Sequence, residues 1–151
     1  MPKIISNYIE LHIFNSAEGK FLLLKRAIHK IYPGIWQMVT ACVEENETTK
    51  DTLLRELFEE TKLKPIRLFI IPHINSFYLE ENDSVNLCPV FLAIVESVNV
   101  IISDEHTEYR WVGFDEAVKL IHWPNQIESL EVIQKYLTDK NLFDKLDEIK
   151  I

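Results

Sequence analysis

An α/β fold with a mixed sheet and helices on both faces is predicted by three features of this sequence. Strand-like runs interleave with helical patterns, and the interleaving lacks a strict βαβ rhythm. Residues 87–95 form the near-continuous apolar run that a buried strand needs. The 151 residues suit one domain with its own core. No linker, repeat or low-complexity block divides them, so residues 1–151 are expected to form a single domain.

Residues 7–14 mix β-branched, aromatic and polar side chains and read as a strand. The turn Ser16-Ala17-Glu18-Gly19 joins it to a second strand over 21–25, giving a hairpin. Pro33-Gly34 breaks the chain before a short strand at 36–39, which leads into a polar loop at 41–47 carrying Cys42. A helix is predicted to start at Thr48 or Thr49, because Thr48 with Asp51 resembles a capping box with Asp in place of Glu. Leu53, Leu54, Leu57 and Phe58 supply its apolar stripe, and Pro65 stops it. Strands at 66–71 and 87–95 flank a polar loop or hairpin tip at 80–84. A short strand at 109–112, a short helix at 114–121 and a longer helix at 126–136 follow, and residues 142–151 carry no assignable pattern.

The 24 acidic residues outnumber the 16 basic ones, and a net charge of −8 argues against a nucleic-acid polymer as partner. A nucleotide remains compatible, since a bound metal reverses the local field. There is no signal-peptide pattern and no apolar stretch of membrane-spanning length, so a cytoplasmic protein without membrane contact is expected. The two cysteines, Cys42 and Cys88, make no disulfide framework and read as reduced thiols.

Chemistry concentrates in Arg55-Glu56-Leu57-Phe58-Glu59-Glu60. On a helix, Glu56, Glu59 and Glu60 stand at i, i+3 and i+4 and share a face, where like charges repel. A hard divalent cation that prefers carboxylate oxygens is the natural occupant of such a cluster.

Residues 41–63 resemble the Nudix box, whose pattern is Gly-x5-Glu-x7-Arg-Glu-U-x-Glu-Glu-x-Gly-U, with U a bulky aliphatic residue. The chain supplies Glu47, Arg55, Glu56, Leu57, Glu59, Glu60 and Leu63; Ala41 and Lys62 stand where the pattern has glycine. The charged positions alone would recur by chance in on the order of one in 10⁵ windows. The flanks Trp36-Gln37-Met38-Val39-Thr40, Glu105-His106-x-x-Tyr109-Arg110-Trp111 and Trp123-x-Asn125 resemble one branch of that family. That branch includes bacterial enzymes acting on dihydroneopterin triphosphate and dATP.

The resemblance implies a Nudix-type α/β/α sandwich and a pyrophosphohydrolase of a (deoxy)nucleoside or pterin triphosphate. The products would be a monophosphate and pyrophosphate. It implies Mg²⁺, with Mn²⁺ as a substitute, held by Glu56, Glu59, Glu60, Glu105 and the backbone of Ala41. Arg55 would orient a glutamate, and Glu56, Glu59 and Glu105 are each candidates for the general base through a water. Glu44 and Glu47 would support the site from the preceding loop. Homodimers are common in the family.

Outside the box, alternation puts Lys25 and Arg26 on opposite faces, and Arg26 is the chosen phosphate contact against a plain surface role. Trp36 is a candidate for stacking on a base or pterin, against a place in the core. Asn125 is a candidate for binding the ring, against capping the last helix. Tyr109 and Trp111 are expected to pack, and His106 to be a loop or structural histidine. Two rival readings remain: a Nudix domain that binds nucleotide without cleaving it, motivated by Ala41 and Lys62, and an acidic face that is merely solvated.

Overall fold

A computed structural model describes all 151 residues. Nine strands form one mixed sheet: β1 (Lys3–Ile5), β2 (Tyr8–Asn15), β3 (Lys20–Arg26), β4 (Trp36–Gln37), β5 (Val39–Cys42), β6 (Arg67–Leu79), β7 (Ser84–Val95), β8 (His106–Val112) and β9 (Asp147–Ile149). The central path runs β4-β3-β2-β7-β6-β9. β7 pairs in parallel with β2 and β1, and the remaining pairs are antiparallel. The helices are α1 (Thr49–Thr61), α2 (Phe114–Leu120), α3 (Pro124–Thr138) and the single turn α4 (Lys140–Phe143). No helix is long and apolar enough to cross a membrane.

The sheet separates two apolar clusters, the α/β/α arrangement expected. β2 is buried on both faces and divides by alternation. Ile9, Leu11 and Ile13 join Leu53 and Leu57 of α1 in one cluster. On the other face Phe21, Leu23 and Leu92 pack with Ala117 of α2 and with Leu130 and Ile133 of α3. Each fully buried aliphatic or aromatic side chain contributes about 1.5–3 kcal/mol, so both faces are needed to hold the helices.

Local signals explain most boundaries. Thr48 caps α1 through the anticipated box: its hydroxyl accepts from Asp51 N (3.2 Å), while Asp51 Oδ2 accepts from Thr48 N (3.2 Å). At the β2–β3 turn, Asn15 Oδ1 accepts from Glu18 N (3.0 Å), and Gly19 takes φ +65°. Gly34, in the break before β4, likewise sits at φ +79°.

Several expectations need correction. The 36–39 strand is two strands, because the chain changes partner at Met38: Gln37 pairs with Leu24 of β3, and Val39 with Leu11 of β2. β5 therefore extends to Cys42, which lies in a strand and not in a loop. β6 and β7 are much longer than 66–71 and 87–95, and they meet at a single 3-10 turn, Glu80–Asn82. A bulge between Ile71 and Ile74 absorbs Pro72, which cannot donate to the ladder, and pairing then resumes to Leu79. β8 begins at His106, three residues before the expected start. α3 starts at Pro124 with Trp123 as N-cap, so Asn125 is not the cap. Of the α1 stripe, Leu53 and Leu57 are buried, whereas Phe58 is exposed beneath Lys62 and Lys64. Tyr109 is exposed, while Trp111 packs against the first cluster and donates from Nε1 to Val98 O (3.0 Å). The C-terminal residues, which carried no pattern, close the sheet edge: Ile149 of β9 pairs with Leu68, and Glu148 bonds Arg67.

Candidate active site

α1 carries its acidic residues to the sheet in two different ways. Leu53, Leu57 and Glu60 lie at i, i+4 and i+7, so Glu60 shares the inner face with the two leucines and is only 4% exposed. Glu59 is carried outward and is largely exposed. Glu56 lies between and is mostly buried.

Arg55 organises the outer carboxylates. Its Nε and Nη2 donate to Glu47 Oε1 (2.6 Å) and Oε2 (2.9 Å), the bidentate fork that suits a guanidinium. Its Nη1 donates to Glu56 Oε1 (2.6 Å) and Glu59 Oε2 (3.2 Å), and Glu44 stands 3.7 Å from Nη2. Thr52 adds a hydroxyl to Glu47 Oε2 at 2.6 Å. Arg55 first, then Thr52, pulls the Glu47 carboxyl down to about 2. The same carboxylates raise Arg55 further above its ordinary value.

Glu60 is the opposite case. Its Oε2 is buried with no hydrogen-bond partner. Burial first, and then Glu105 and Glu56, push its carboxyl up to about 9. Glu56 is also raised, by burial against the pull of Arg55. Glu105 enters from the turn before β8, the loop position expected, and Lys30 Nζ donates to its Oε1 (2.9 Å). That ammonium is the main reason Glu105 titrates below the usual range.

Glu56, Glu60 and Glu105 thus meet on the α1 side of the sheet. They do not form a closed ligand set, and no three acidic, histidine or cysteine side chains converge as a ready cage. Glu56 is turned to Arg55 and Glu105 to Lys30. A buried carboxyl oxygen with no partner, flanked by two more carboxylates, is nonetheless the donor set a hard divalent cation takes.

The other sequence candidates fall into two groups. Arg26, on the α1 face opposite His106, is close enough to act on Glu60, though its Nε donates to Ile31 O at 2.7 Å. Ala41 is in β5 against the first cluster without a positive φ, so alanine carries no strain there. Trp36 belongs to the second cluster on the opposite face, with Arg110 over its ring at 4.9 Å. Asn125 is exposed and ties α3 to β6 by donating to Ser76 O (2.9 Å). Neither is brought to the carboxylates. Two residues gain weight from the structure. His106 is buried at the start of β8 with both ring nitrogens unpartnered, and burial pushes it down to about 4. Lys30 had drawn no attention in the sequence, because nothing local marks a loop lysine whose partner lies 75 residues away.

The NUDIX domain family matches residues 11–134, most of the chain and all of the box. The protein belongs to the NUDIX family. It is 30% identical over 140 residues to the dihydroneopterin triphosphate diphosphatase of Haemophilus influenzae, covering 83% of each chain. It is also 30% identical over 116 residues to the isopentenyl-diphosphate Delta-isomerase of Salmonella paratyphi B, covering 71% of this chain and 61% of that relative. The crystal structure of the MutT protein of Methanosarcina mazei superposes with a TM-score of 0.74 at 25% identity, covering 91% of this chain and 98% of that one. Family membership together with the diphosphatase relative makes this a Nudix hydrolase, an enzyme of phosphoric anhydride bonds.

Proposed function

We propose that this NUDIX protein is a divalent-metal-dependent pyrophosphohydrolase of a pterin or (deoxy)nucleoside triphosphate, of the dihydroneopterin triphosphate or dATP type. Water adds to phosphorus, the anhydride P–O bond breaks, and a monophosphate and pyrophosphate leave. The observation that carries this reading is Glu60: a box carboxyl, buried, with an oxygen unpartnered, facing Glu56 and Glu105. The relative from Haemophilus influenzae supports the substrate class.

Glu56, Glu60 and Glu105, with Glu59 and the carbonyl of Ala41, would hold Mg²⁺ or Mn²⁺. Bound there, the ion supplies neutralisation of phosphate charge and acidification of a water. Arg55 holds Glu47, Glu56 and Glu59 in fixed positions, which limits the reorganisation needed at the moment of reaction. Glu105 is ionised near neutral pH and can accept a proton from water; Glu60 must lose its proton before it can act as a ligand. Arg26, on the same face, contributes positive charge toward the phosphates.

The test is a panel of dihydroneopterin triphosphate, dATP, 8-oxo-dGTP and diadenosine polyphosphates with Mg²⁺ or Mn²⁺, with products identified. Release of pyrophosphate from one of the first two, abolished by Glu60→Gln, is expected. No turnover of any of them, with Glu60→Gln indistinguishable from wild type, would falsify the reading. A second reading, a Nudix site that does not hydrolyse, is favoured by the isomerase relatives. Isomerisation of isopentenyl diphosphate, tested beside the panel, with no pyrophosphate released from the triphosphates, would establish it.

A further inference from the structure

We propose that Lys30 is a phosphate-binding residue that exchanges partners: it pairs with Glu105 in the metal-free protein and with the outer phosphate of the substrate once Glu105 turns to the metal. The inference rests on the metal-dependent reading above and adds a residue, and an order of events, to it.

The argument begins with the cations around the carboxylates: Arg55, Arg26 and Lys30. The Arg55 fork is committed to Glu47, Glu56 and Glu59. Arg26 is tethered through Nε to Ile31 O. Lys30 alone has one of the proposed metal-binding carboxylates as its single side-chain partner, Glu105. The Lys30 and Glu105 side chains are 33% and 42% exposed, so the pair is open to solvent and to a ligand arriving from it.

The loop between β3 and β4 holds Lys30 at this position. Ala27 N donates to Glu105 O (2.9 Å), Lys30 N to Ala27 O (3.2 Å) and Gly34 N to Arg26 O (2.9 Å). The loop base is therefore stitched to the turn that carries Glu105, and the lysine stem can swing while its backbone stays fixed. Lysine suits the task, being a compact charge with three donors on a flexible stem. At the far side of the same loop, Tyr32 meets Trp123 edge-on, with ring centroids 5.0 Å apart. The loop thus spans from the carboxylates to the start of α3.

The exchange has a signature that a structural role lacks. Lys30 competes with metal for Glu105 when metal binds alone, but cooperates with metal when polyphosphate is present. Removing it should move the two affinities in opposite directions. In calorimetric titrations, Lys30→Ala is expected to bind Mn²⁺ about two- to five-fold more tightly than wild type, the range of a partly exposed ion pair. It is expected to bind Mg²⁺-pyrophosphate, with Mg²⁺ saturating, about tenfold more weakly, the scale of one charge-assisted hydrogen bond. Lys30→Arg, which keeps the charge, should restore both values to within about twofold of wild type. In a Glu105→Gln background, Lys30→Ala should no longer tighten Mn²⁺ binding.

Affinities that both fall in Lys30→Ala, or that both stay unchanged, overturn the exchange. Failure of the wild-type protein to bind Mn²⁺ at all overturns the metal-site reading instead, so the two failures are distinguishable.

Discussion

The two faces of the sheet each bury a glutamate, and the two are held in opposite ways. On the α2 and α3 side, Glu10 of β2 has both oxygens partnered: His12 Nε2 lies 2.7 Å from Oε2, and Asn75 Nδ2 donates to Oε1 at 3.0 Å. On the α1 side, Glu60 has an oxygen with no partner, faces two further carboxylates and is pushed up to about 9. Burying a polar group costs free energy unless its hydrogen bonds are satisfied. Glu10 satisfies that condition at both oxygens, whereas Glu60 leaves Oε2 without a partner. The contrast separates a carboxylate satisfied within the fold from one that the proposed metal site would complete.

The largest expected effect comes from removing the negative charge of Glu60 while keeping its shape. Glu60→Gln should lower turnover at least about 100-fold, the scale of a lost metal ligand. The same substitution should stabilise the metal-free protein at alkaline pH. Folded, Glu60 keeps its proton up to about pH 9, whereas the unfolded side chain loses it near 4.5. The folded state binds the extra proton between those values, so metal-free stability falls as pH rises across the window and levels off above it. Denaturant titrations at pH 5 and pH 8.5 should show that loss in wild type and a much smaller one in Glu60→Gln. An equal loss in both would mean that Glu60 is not the strained group.

Glu10 should respond in the reverse manner. Glu10→Ala strands His12 and Asn75 in the interior and is expected to cost about 3 kcal/mol of stability, read from the denaturation midpoint. Mn²⁺ affinity should stay within about twofold of wild type, because Glu10 lies across the sheet from the box. A large loss of metal binding at unchanged stability would erase the distinction between the faces.

Arg55→Lys tests how far the outer carboxylates depend on a fork and not on charge alone. A lysine cannot serve Glu47, Glu56 and Glu59 together, so turnover should fall about tenfold or more with the fold intact. Wild-type kinetics in Arg55→Lys would show that positioning by Arg55 is dispensable.

The smallest effect is expected at Lys62, the residue in place of the second box glycine. Lys62 caps α1 at φ +62°, donating to Phe58 O at 2.9 Å. Lys62→Gly should relieve left-handed strain and raise stability by about 0.5–1 kcal/mol, with metal binding unchanged. A destabilised variant would show that Lys62 is worth more against the Phe58 ring than its backbone strain costs.

The same contrast between local and distant partners explains what the sequence disclosed. The capping box at Thr48, the β2–β3 turn and the Leu53 and Leu57 part of the α1 stripe are signals within a few residues, and they were legible. β1, β9 and the extension of β6 to Leu79 exist through pairing with remote strands, and their own residues are short or interrupted by Pro72. The site divides likewise. Box spacing singled out Arg55, Glu56, Glu59 and Glu60 as candidates, and the Glu105-His106-x-x-Tyr109 flank singled out Glu105. Local pattern did not show that Trp36 would lie on the opposite face or that Lys30 would reach Glu105. The inward turn of Glu60 follows from its i+7 spacing to Leu53, whereas the face of Trp36 depends on the pairing of β4 with β3 and the reach of Lys30 on how the β3–β4 loop meets the turn before β8.

The most direct test of the central claim is the proton count on metal binding. Mn²⁺ titrations of wild-type protein and Glu60→Gln at pH 7, in two buffers of different ionisation enthalpy, measure it. The account predicts release of about one proton by wild type, as Glu60 exchanges its proton for the cation. It predicts binding that is weak or absent in Glu60→Gln. Tight Mn²⁺ binding by both proteins with no proton released would contradict it.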